Sequence, residues 1–233
     1  MKYNISKWRK TGIFIGFLLI LSLLFAFFTD AENQLVFKSN TNNQNKIAIT
    51  FDDGPHPRKT KEILAILEKY KVKSTFFVVG VNVINYPDSM DLIASAGHEI
   101  GNHTFSHSVL KSKSSEEIKR EISETERILE EHRISKADLL RPPCGLYDDS
   151  LLKVAKDMEY KIVLWTVDTE DWAHKSSNEI VSNVLKNIQG GDIILFHDYT
   201  SGVNSTVEAL DIIIPKLLNM GYELVTVSEL LQN

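Results

Sequence analysis

Short, almost continuous apolar runs that alternate with helix-patterned segments are the feature that most restricts the fold of this chain. The runs at 46–50, 74–79, 161–167 and 192–196 are apolar along most of their length instead of alternating apolar and polar residues. This pattern is typical of parallel strands that are covered on both faces. Segments with apolar residues at helical spacing lie between and after them, at 60–70, 88–96, 114–132, 149–158, 177–188 and 206–220.

The strand-then-helix order predicts an α/β fold. Weaker strand signals occur at 99–102, 139–140 and 222–227, and a short helix is predicted at 228–231. Together these elements indicate a (β/α) barrel of about seven strands, complete or incomplete.

The N-terminus carries a separate targeting signal. Four cations and no acid occur in the first ten residues, and 13–28 is a run of 16 residues without a charge. A secretory signal has an apolar core of about 7–15 residues and a membrane-spanning helix has about 17–25, so the run lies between the two. We expect residues 1–30 to be a single-pass membrane anchor, or alternatively a cleaved signal. Either way the rest of the chain lies outside the cytoplasmic membrane.

An Asn-rich polar stretch at 31–45 predicts a linker, and the folded domain is then expected at 46–233. The net charge is −5, which argues against nucleic acid as a partner because phosphate binding needs a basic surface. Cys144 is the one cysteine, so an intramolecular disulfide and any site with two Cys ligands are excluded.

Reactive side chains directly follow the predicted strands. They are Asp52, Asp53, His103, His107, Arg141, the segment 168–172 and His197. In a (β/α) barrel the active site lies at the C-terminal ends of the strands. These positions therefore predict one common site.

The spacing of two histidines is the sharpest indication of a metal. His103 and His107 are four residues apart, and on one helical turn they would present two nitrogens to one ion. Asp53 would complete a set of three ligands with open positions for water and substrate, which is typical of a catalytic metal. This set suits one divalent ion, zinc first and then cobalt, nickel or manganese. Two hydrogen-bonded histidines without a metal would explain the pair equally well.

Other polar residues have a structural as well as a catalytic interpretation. Asp52 either needs a neighbouring cation or belongs to a solvated Asp-Asp-Gly-Pro turn. His197 is either a general acid or a buried histidine, and Asp171 either orients it or lies at the surface. Trp172 either walls a sugar pocket or packs in the core, and Arg141 either pairs with a carboxylate or is exposed.

Five motifs in order resemble those of the NodB-homology polysaccharide deacetylases, carbohydrate esterase family four. They are TFDDG at 50–54, HTFSH at 103–107, RPPCG at 141–145, DTEDW at 168–172 and LFH at 195–197. The resemblance implies a distorted (β/α)7 barrel and a bound divalent metal.

The resemblance also implies a role for each motif residue. Asp52 would be the general base and Arg141 would position it, while Asp171 would orient His197, the general acid. Asp53, His103 and His107 would hold the metal. Trp172 and Leu195 would line the pocket for the acetyl methyl group. The backbone N–H of Cys144 would be the oxyanion donor, although Cys144 stands where the family usually has an aromatic or otherwise bulky residue.

The implied function is metal-dependent removal of N-acetyl groups from an amino-sugar polymer outside the cell, such as peptidoglycan or a chitin-like oligosaccharide. Two alternatives remain open: an esterase for O-acetylated polysaccharide such as xylan, and an inactive wall-binding protein on the same fold. The predicted partners are an N-acetylated glycan and, through residues 1–30, the cytoplasmic membrane.

Overall fold

A computed structural model describes residues 35–135, 137–199 and 205–232. Nine strands are present in these residues: β1 (Val36–Phe37), β2 (Lys46–Asp52), β3 (Thr75–Val78), β4 (Glu99–Asn102), β5 (Leu139–Leu140), β6 (Lys161–Val163), β7 (Val167–Asp168), β8 (Ile193–His197) and β9 (Glu223–Val225). The α/β class predicted from the sequence is confirmed.

The helices follow the predicted segments within one or two residues, except that the predicted helix at 88–96 is preceded by a further short one. They are α1 (Lys59–Tyr70), α2 (Gly80–Asn85), α3 (Pro87–Ser95), α4 (Ser115–Glu131), α5 (Asp149–Asp157), α6 (Ser177–Asn187), α7 (Ser205–Asn219) and α8 (Val227–Leu231). Side chains cap several of them. Ser114, Ser176 and Thr226 each form a capping box with the glutamate three residues later.

The strands form one sheet in the order β1-β6-β5-β4-β3-β2-β8-β7, and β9 pairs with the start of β2. Every ladder between named strands is parallel. From β6 to β7 this order contains seven strands. The two end strands, β6 and β7, are neighbours in the sequence, within residues 161–168. The sheet thus curls into the distorted (β/α)7 barrel that the motifs implied.

The stretch 161–167 is not the continuous strand that its apolar sequence predicts. β6 ends at Val163 and β7 begins at Val167, so residues 164–166 interrupt the ladder. The carbonyl groups of Val163 and Leu164 accept hydrogen bonds from the side chain of Arg141. The seam of the barrel is therefore held partly by a side chain instead of by strand pairing.

Strand β2 shows how the two faces of the sheet are used. Ile47, Ile49 and Phe51 are fully buried in the larger core cluster, between the sheet and the surrounding helices. Ala48 belongs to a second cluster with Phe77 and residues of β5, β6, β8 and β9. Because strand side chains alternate between faces, Thr50 and Asp52 continue on the side of Ala48. This second face leads to the candidate site.

Residues 36–45, which we expected to belong to a linker, are part of the folded unit. Val36 and Phe37 pair with Ile162 and Val163 as an edge strand. The side-chain amides of Asn40 and Asn43 donate to the carbonyl of Leu230, over 2.8 and 2.7 Å. The folded unit thus begins at Val36 and not at Lys46.

The predicted anchor or signal at 1–30, and the first residues of the expected linker, lie outside the described residues. Within the described ranges, no helix has both the length and the apolar composition needed to cross a bilayer.

Candidate active site

Arg141 and Asp52 form a buried ion pair at the inner face of the sheet. Arg141 follows β5, is 0 % exposed, and donates from one terminal nitrogen to Asp52 Oδ1 over 2.7 Å and to Thr50 Oγ1 over 2.8 Å. Its guanidinium also stacks on the ring of Phe77, with 4.0 Å between the guanidinium carbon and the ring centroid. Burial lowers the pKa of Arg141, and the charge of Asp52 opposes this shift.

Asp53, His103 and His107 form the candidate metal site. Asp53 Oδ1 lies 3.3 Å from His103 Nε2 and 3.1 Å from His107 Nε2, and the three potential ligand atoms all lie within 4.8 Å of one another. Burial raises the pKa of Asp53, but hydrogen bonds from His103 and His107 and the charges of His103 and His197 outweigh it, so the pKa lies well below its usual range.

The donor set fits a divalent cation. His103 Nδ1 lies 2.7 Å from the backbone oxygen of Arg141, and because a carbonyl oxygen only accepts, Nδ1 carries the proton. Nε2 is then the ring nitrogen that faces Asp53, and without its proton it would be the lone-pair donor that a metal needs. One carboxylate and two imidazoles leave coordination positions open for water and substrate.

The HTFSH motif is not the helical turn that its spacing predicts. Residues 103–107 form a loop in which Thr104 and His107 have positive φ angles of 70° and 57°. The N–H of Thr104 donates to Asn102 Oδ1, which fixes the start of this loop. The two rings still converge, with centroids 5.1 Å apart, but loop conformation and not helix geometry brings them together.

His197 is the last residue of β8 and forms two hydrogen bonds with Asp171. Its Nδ1 lies 2.7 Å from Asp171 Oδ1, and its backbone N–H donates to Oδ2 over 2.9 Å. Burial would lower the pKa of His197, but the hydrogen bond and charge of Asp171, together with Asp52 and Asp53, raise it to about 9. The imidazole is therefore held protonated, and Nε2 is the atom left to exchange a proton.

A pocket of about 410 Å³ connects these groups. Eight of the ten residues predicted for the site line it: Asp52, Asp53, His103, His107, Cys144, Trp172, Leu195 and His197. Arg141 and Asp171, the other two, lie behind Asp52 and His197 and contact them directly. Cys144 is exposed and has a positive φ of 58° within the turn 143–145.

Two further residues line the pocket, Trp165 and Asp168, and the sequence assigned neither of them a role of its own. Asp168 belongs to the DTEDW motif and ends β7. Because active sites of barrels lie at the C-terminal ends of strands, its position in the sequence indicates a place in the site. Trp165 lies inside the predicted strand 161–167, at the point where the structure interrupts that strand.

The chain has relatives among known proteins. The family model described as Polysaccharide deacetylase matches residues 39–163. A peptidoglycan-N-acetylglucosamine deacetylase of Bacillus cereus is 42 % identical over 193 residues, which cover 82 % of this chain and 90 % of the relative.

Solved structures agree with the family match. The crystal structure of a peptidoglycan N-acetylglucosamine deacetylase superposes with a TM-score of 0.82 at 38 % identity, over 85 % of this chain and 94 % of the other. That of a family-four pseudoenzyme from Bacillus anthracis gives 0.79 at 34 % identity, over 84 % and 69 %. The resemblance of the five motifs is thus confirmed, and the chain belongs to the polysaccharide deacetylase family.

Proposed function

We propose that this protein is a metal-dependent N-deacetylase that removes acetyl groups from N-acetylglucosamine residues of peptidoglycan outside the cell. The observation that carries the proposal is the convergence of Asp52 and His197, each with its own buried partner, on one pocket beside the Asp53–His103–His107 set. The B. cereus relative supports the choice of substrate.

A divalent ion would be held by Asp53, His103 and His107, and zinc is the first candidate, before cobalt, nickel and manganese. When bound, such an ion polarises the acetyl carbonyl and acidifies a water molecule. The family membership of the chain implies a divalent metal, and the histidine–carboxylate donor set is consistent with zinc.

Asp52 is the proposed general base. Its Oδ1 is occupied by Arg141, so Oδ2 is the oxygen that takes the proton from the attacking water. Oδ2 lies 3.7 Å from His103 Nε2, which places it next to the metal ligands. Arg141 therefore fixes which oxygen of the carboxylate does the chemistry.

His197 is the proposed general acid. The water oxygen bonds to the acetyl carbon, the carbon–nitrogen bond then breaks, and the leaving nitrogen takes the proton from His197 Nε2. The products are acetate and a free amino sugar. An amine leaves poorly without this proton. The hydrogen bond between His197 Nδ1 and Asp171 keeps the imidazole charged until the proton is delivered to the leaving nitrogen.

The remaining pocket residues would hold the acetyl group. Leu195 and Trp172 present apolar surface for the methyl group, and the backbone N–H of Cys144 would donate to the oxyanion that forms on the carbonyl oxygen. Trp172 is 56 % exposed, so its ring is also available to a sugar outside the pocket.

Two other functions are tested together with this one. A related family member is a pseudoenzyme, and an esterase would use the same groups. The experiment is acetate release by the purified protein from peptidoglycan fragments, N-acetylglucosamine oligomers and acetylxylan, with and without added metal. Release from the first two supports the proposal. Release from acetylxylan alone identifies an esterase, and binding of peptidoglycan without release identifies an inactive protein.

We also propose that residues 1–30 anchor the protein in the cytoplasmic membrane with the catalytic domain outside, the alternative being secretion after cleavage. Four cations ahead of a 16-residue uncharged run support this orientation. Cell fractionation tests it. Anchoring requires the protein in the membrane fraction with residues 36–232 accessible to external protease, whereas cleavage places a shortened chain in the medium.

A further inference from the structure

Asp171 receives a hydrogen bond from a residue outside the five motifs. The hydroxyl of Thr206 donates to Asp171 Oδ2 over 2.9 Å. Thr206 is 4 % exposed and Asp171 is 6 % exposed, so water has little access to this bond. The carboxylate therefore accepts three hydrogen bonds, two from His197 and one from Thr206.

The Thr206 bond differs from the other two in what it connects. The other two come from the imidazole and from the backbone N–H of His197, so both connect Asp171 to the strand that carries the proposed acid. Thr206 is the second residue of α7, which packs against the sheet through Ala209, Leu210 and Ile213. Its hydroxyl ties Asp171 to a separate, firmly packed helix.

We propose that Thr206 is a positioning residue for the deacetylation reaction, acting through Asp171 to hold His197 in the orientation that protonates the leaving nitrogen. The inference rests on the proposed role of His197 as the acid. A purely structural role for the hydroxyl, as one buried hydrogen bond among many, is the competing interpretation.

The test is Thr206→Val, which keeps the shape of the side chain and removes the donor. With an N-acetylglucosamine oligomer, kcat should fall on the order of 10-fold with KM unchanged, as for other residues that orient a catalytic group. With nitrophenyl acetate, whose leaving group needs no proton, the rate should be almost unchanged. Thr206→Ser should restore kcat to within about twofold, because it restores the hydroxyl.

A double-mutant cycle with His197→Ala separates positioning from stability. If Thr206 acts through the acid, Thr206→Val has no further effect on kcat once His197 is removed. Thr75→Val is the matched control. Thr75 is fully buried, donates to Glu99 over 2.6 Å and accepts from the N–H of Val227, and neither it nor its two partners line the pocket. This variant should keep the parental kcat on both substrates.

Nuclear magnetic resonance titration of His197 gives a readout that needs no turnover. Loss of the Thr206 donor concentrates negative charge on Asp171, so the pKa of His197 should rise in Thr206→Val and return in Thr206→Ser. Equal losses on amide and ester, additive effects in the cycle, or an unchanged titration would overturn the proposal for Thr206. A protein that releases no acetate from any amide would instead overturn the proposed function, and the titration would still decide whether Thr206 acts on His197.

Discussion

Asp52 and His197 are register partners on the adjacent parallel strands β2 and β8. Partners in a parallel ladder leave the sheet on the same face, so the proposed base and acid reach the pocket side by side. Each has a dedicated buried partner on another element, Arg141 after β5 and Asp171 after β7. The two proton transfers of an amide hydrolysis are therefore assigned to separate hydrogen-bonded pairs, and the pairs can be disrupted one at a time.

Removal of the acid should depend on the leaving group. His197→Ala should slow release of acetate from an N-acetylglucosamine oligomer by roughly 10²–10⁴, the usual contribution of a general acid. Hydrolysis of nitrophenyl acetate should change far less, whereas Asp52→Asn should impair both substrates because both need an activated water. Steady-state kinetics of the two variants on the two substrates make the comparison. Equal losses for His197→Ala on amide and ester, with metal content unchanged, would mean that another group is the acid.

The rate should fall at alkaline pH as His197 loses its proton. The pKa of this imidazole is raised to about 9, so the acid is present below that value and is lost as pH rises through it. A bound cation offsets the charge of Asp53, so the alkaline limb of the metal-loaded enzyme should lie somewhat lower. Asp171→Asn removes the main raising influence and should move the limb to lower pH. Profiles of kcat/KM against pH for both proteins test this, and a limb that stays in place would contradict it.

Metal content should follow the two histidines. His103→Ala and His107→Ala each leave two protein ligands, which hold a divalent ion poorly, so both should lose metal and activity. Elemental analysis after gel filtration measures the bound metal, and acetate release measures the activity. His132→Ala is the control, because His132 is paired with Asp91 outside the site. A chelator-treated protein that is shown to be free of metal and remains fully active would refute the metal requirement.

Arg141 should be required for stability as well as for activity. Arg141→Met removes four hydrogen bonds and leaves the carboxylate of Asp52, 3 % exposed, without its cation. Breaking a buried pair in this way costs about 3–5 kcal/mol of unfolding free energy. Urea denaturation measures the loss. Arg127→Met, which removes an exposed ion pair with Glu131, should cost much less, and similar midpoints for the two variants would disagree with the structure.

Asp198 should make the protein less stable as pH rises. Its carboxyl group is 1 % exposed, and within the described part of the chain Oδ1 has no hydrogen-bond partner, while Oδ2 accepts from Thr60. Burial raises its pKa from 3.8 to about 7, so the proton-linked stabilisation is complete below pH 3.8 and is lost as pH rises through about 7. Asp198→Asn should flatten this part of the stability profile. Urea unfolding at several pH values measures the free energy of unfolding of both proteins. If this free energy changes with pH in the same way in the parent and in Asp198→Asn, the effect of Asp198 is ruled out.

The positions of the site residues were predictable because the strands are solidly apolar. A polar residue such as Asp52 or His197 that interrupts such a run marks its C-terminal end, and parallel strands bring those ends together. The conformation between the ends was not predictable. The spacing of His103 and His107 suits a helix, but a loop with two positive φ angles reaches the same convergence.

Contacts between distant elements explain the other differences. The Asn-rich segment at 36–45 has the composition of a linker, and its side-chain amides gain a structural role from carbonyl groups far along the chain, such as that of Leu230, 190 residues from Asn40. Likewise, nothing in the composition of 161–167 shows that the side chain of Arg141 will donate hydrogen bonds to the carbonyl groups of residues 163 and 164. Thr206 lies outside every motif, and its contact with Asp171 appears only in three dimensions.

The contacts of Arg141 bear on how inactive members of such a family are recognised. The same guanidinium holds Asp52 and the carbonyl groups at the seam of the barrel. A descendant that no longer needs a base would still gain stability from the two hydrogen bonds of this arginine at the seam, so selection for stability can preserve it after selection for catalysis has ended. The arginine of the third motif is therefore weak evidence of activity in a sequence survey, and Asp52 and His197 are the positions to inspect.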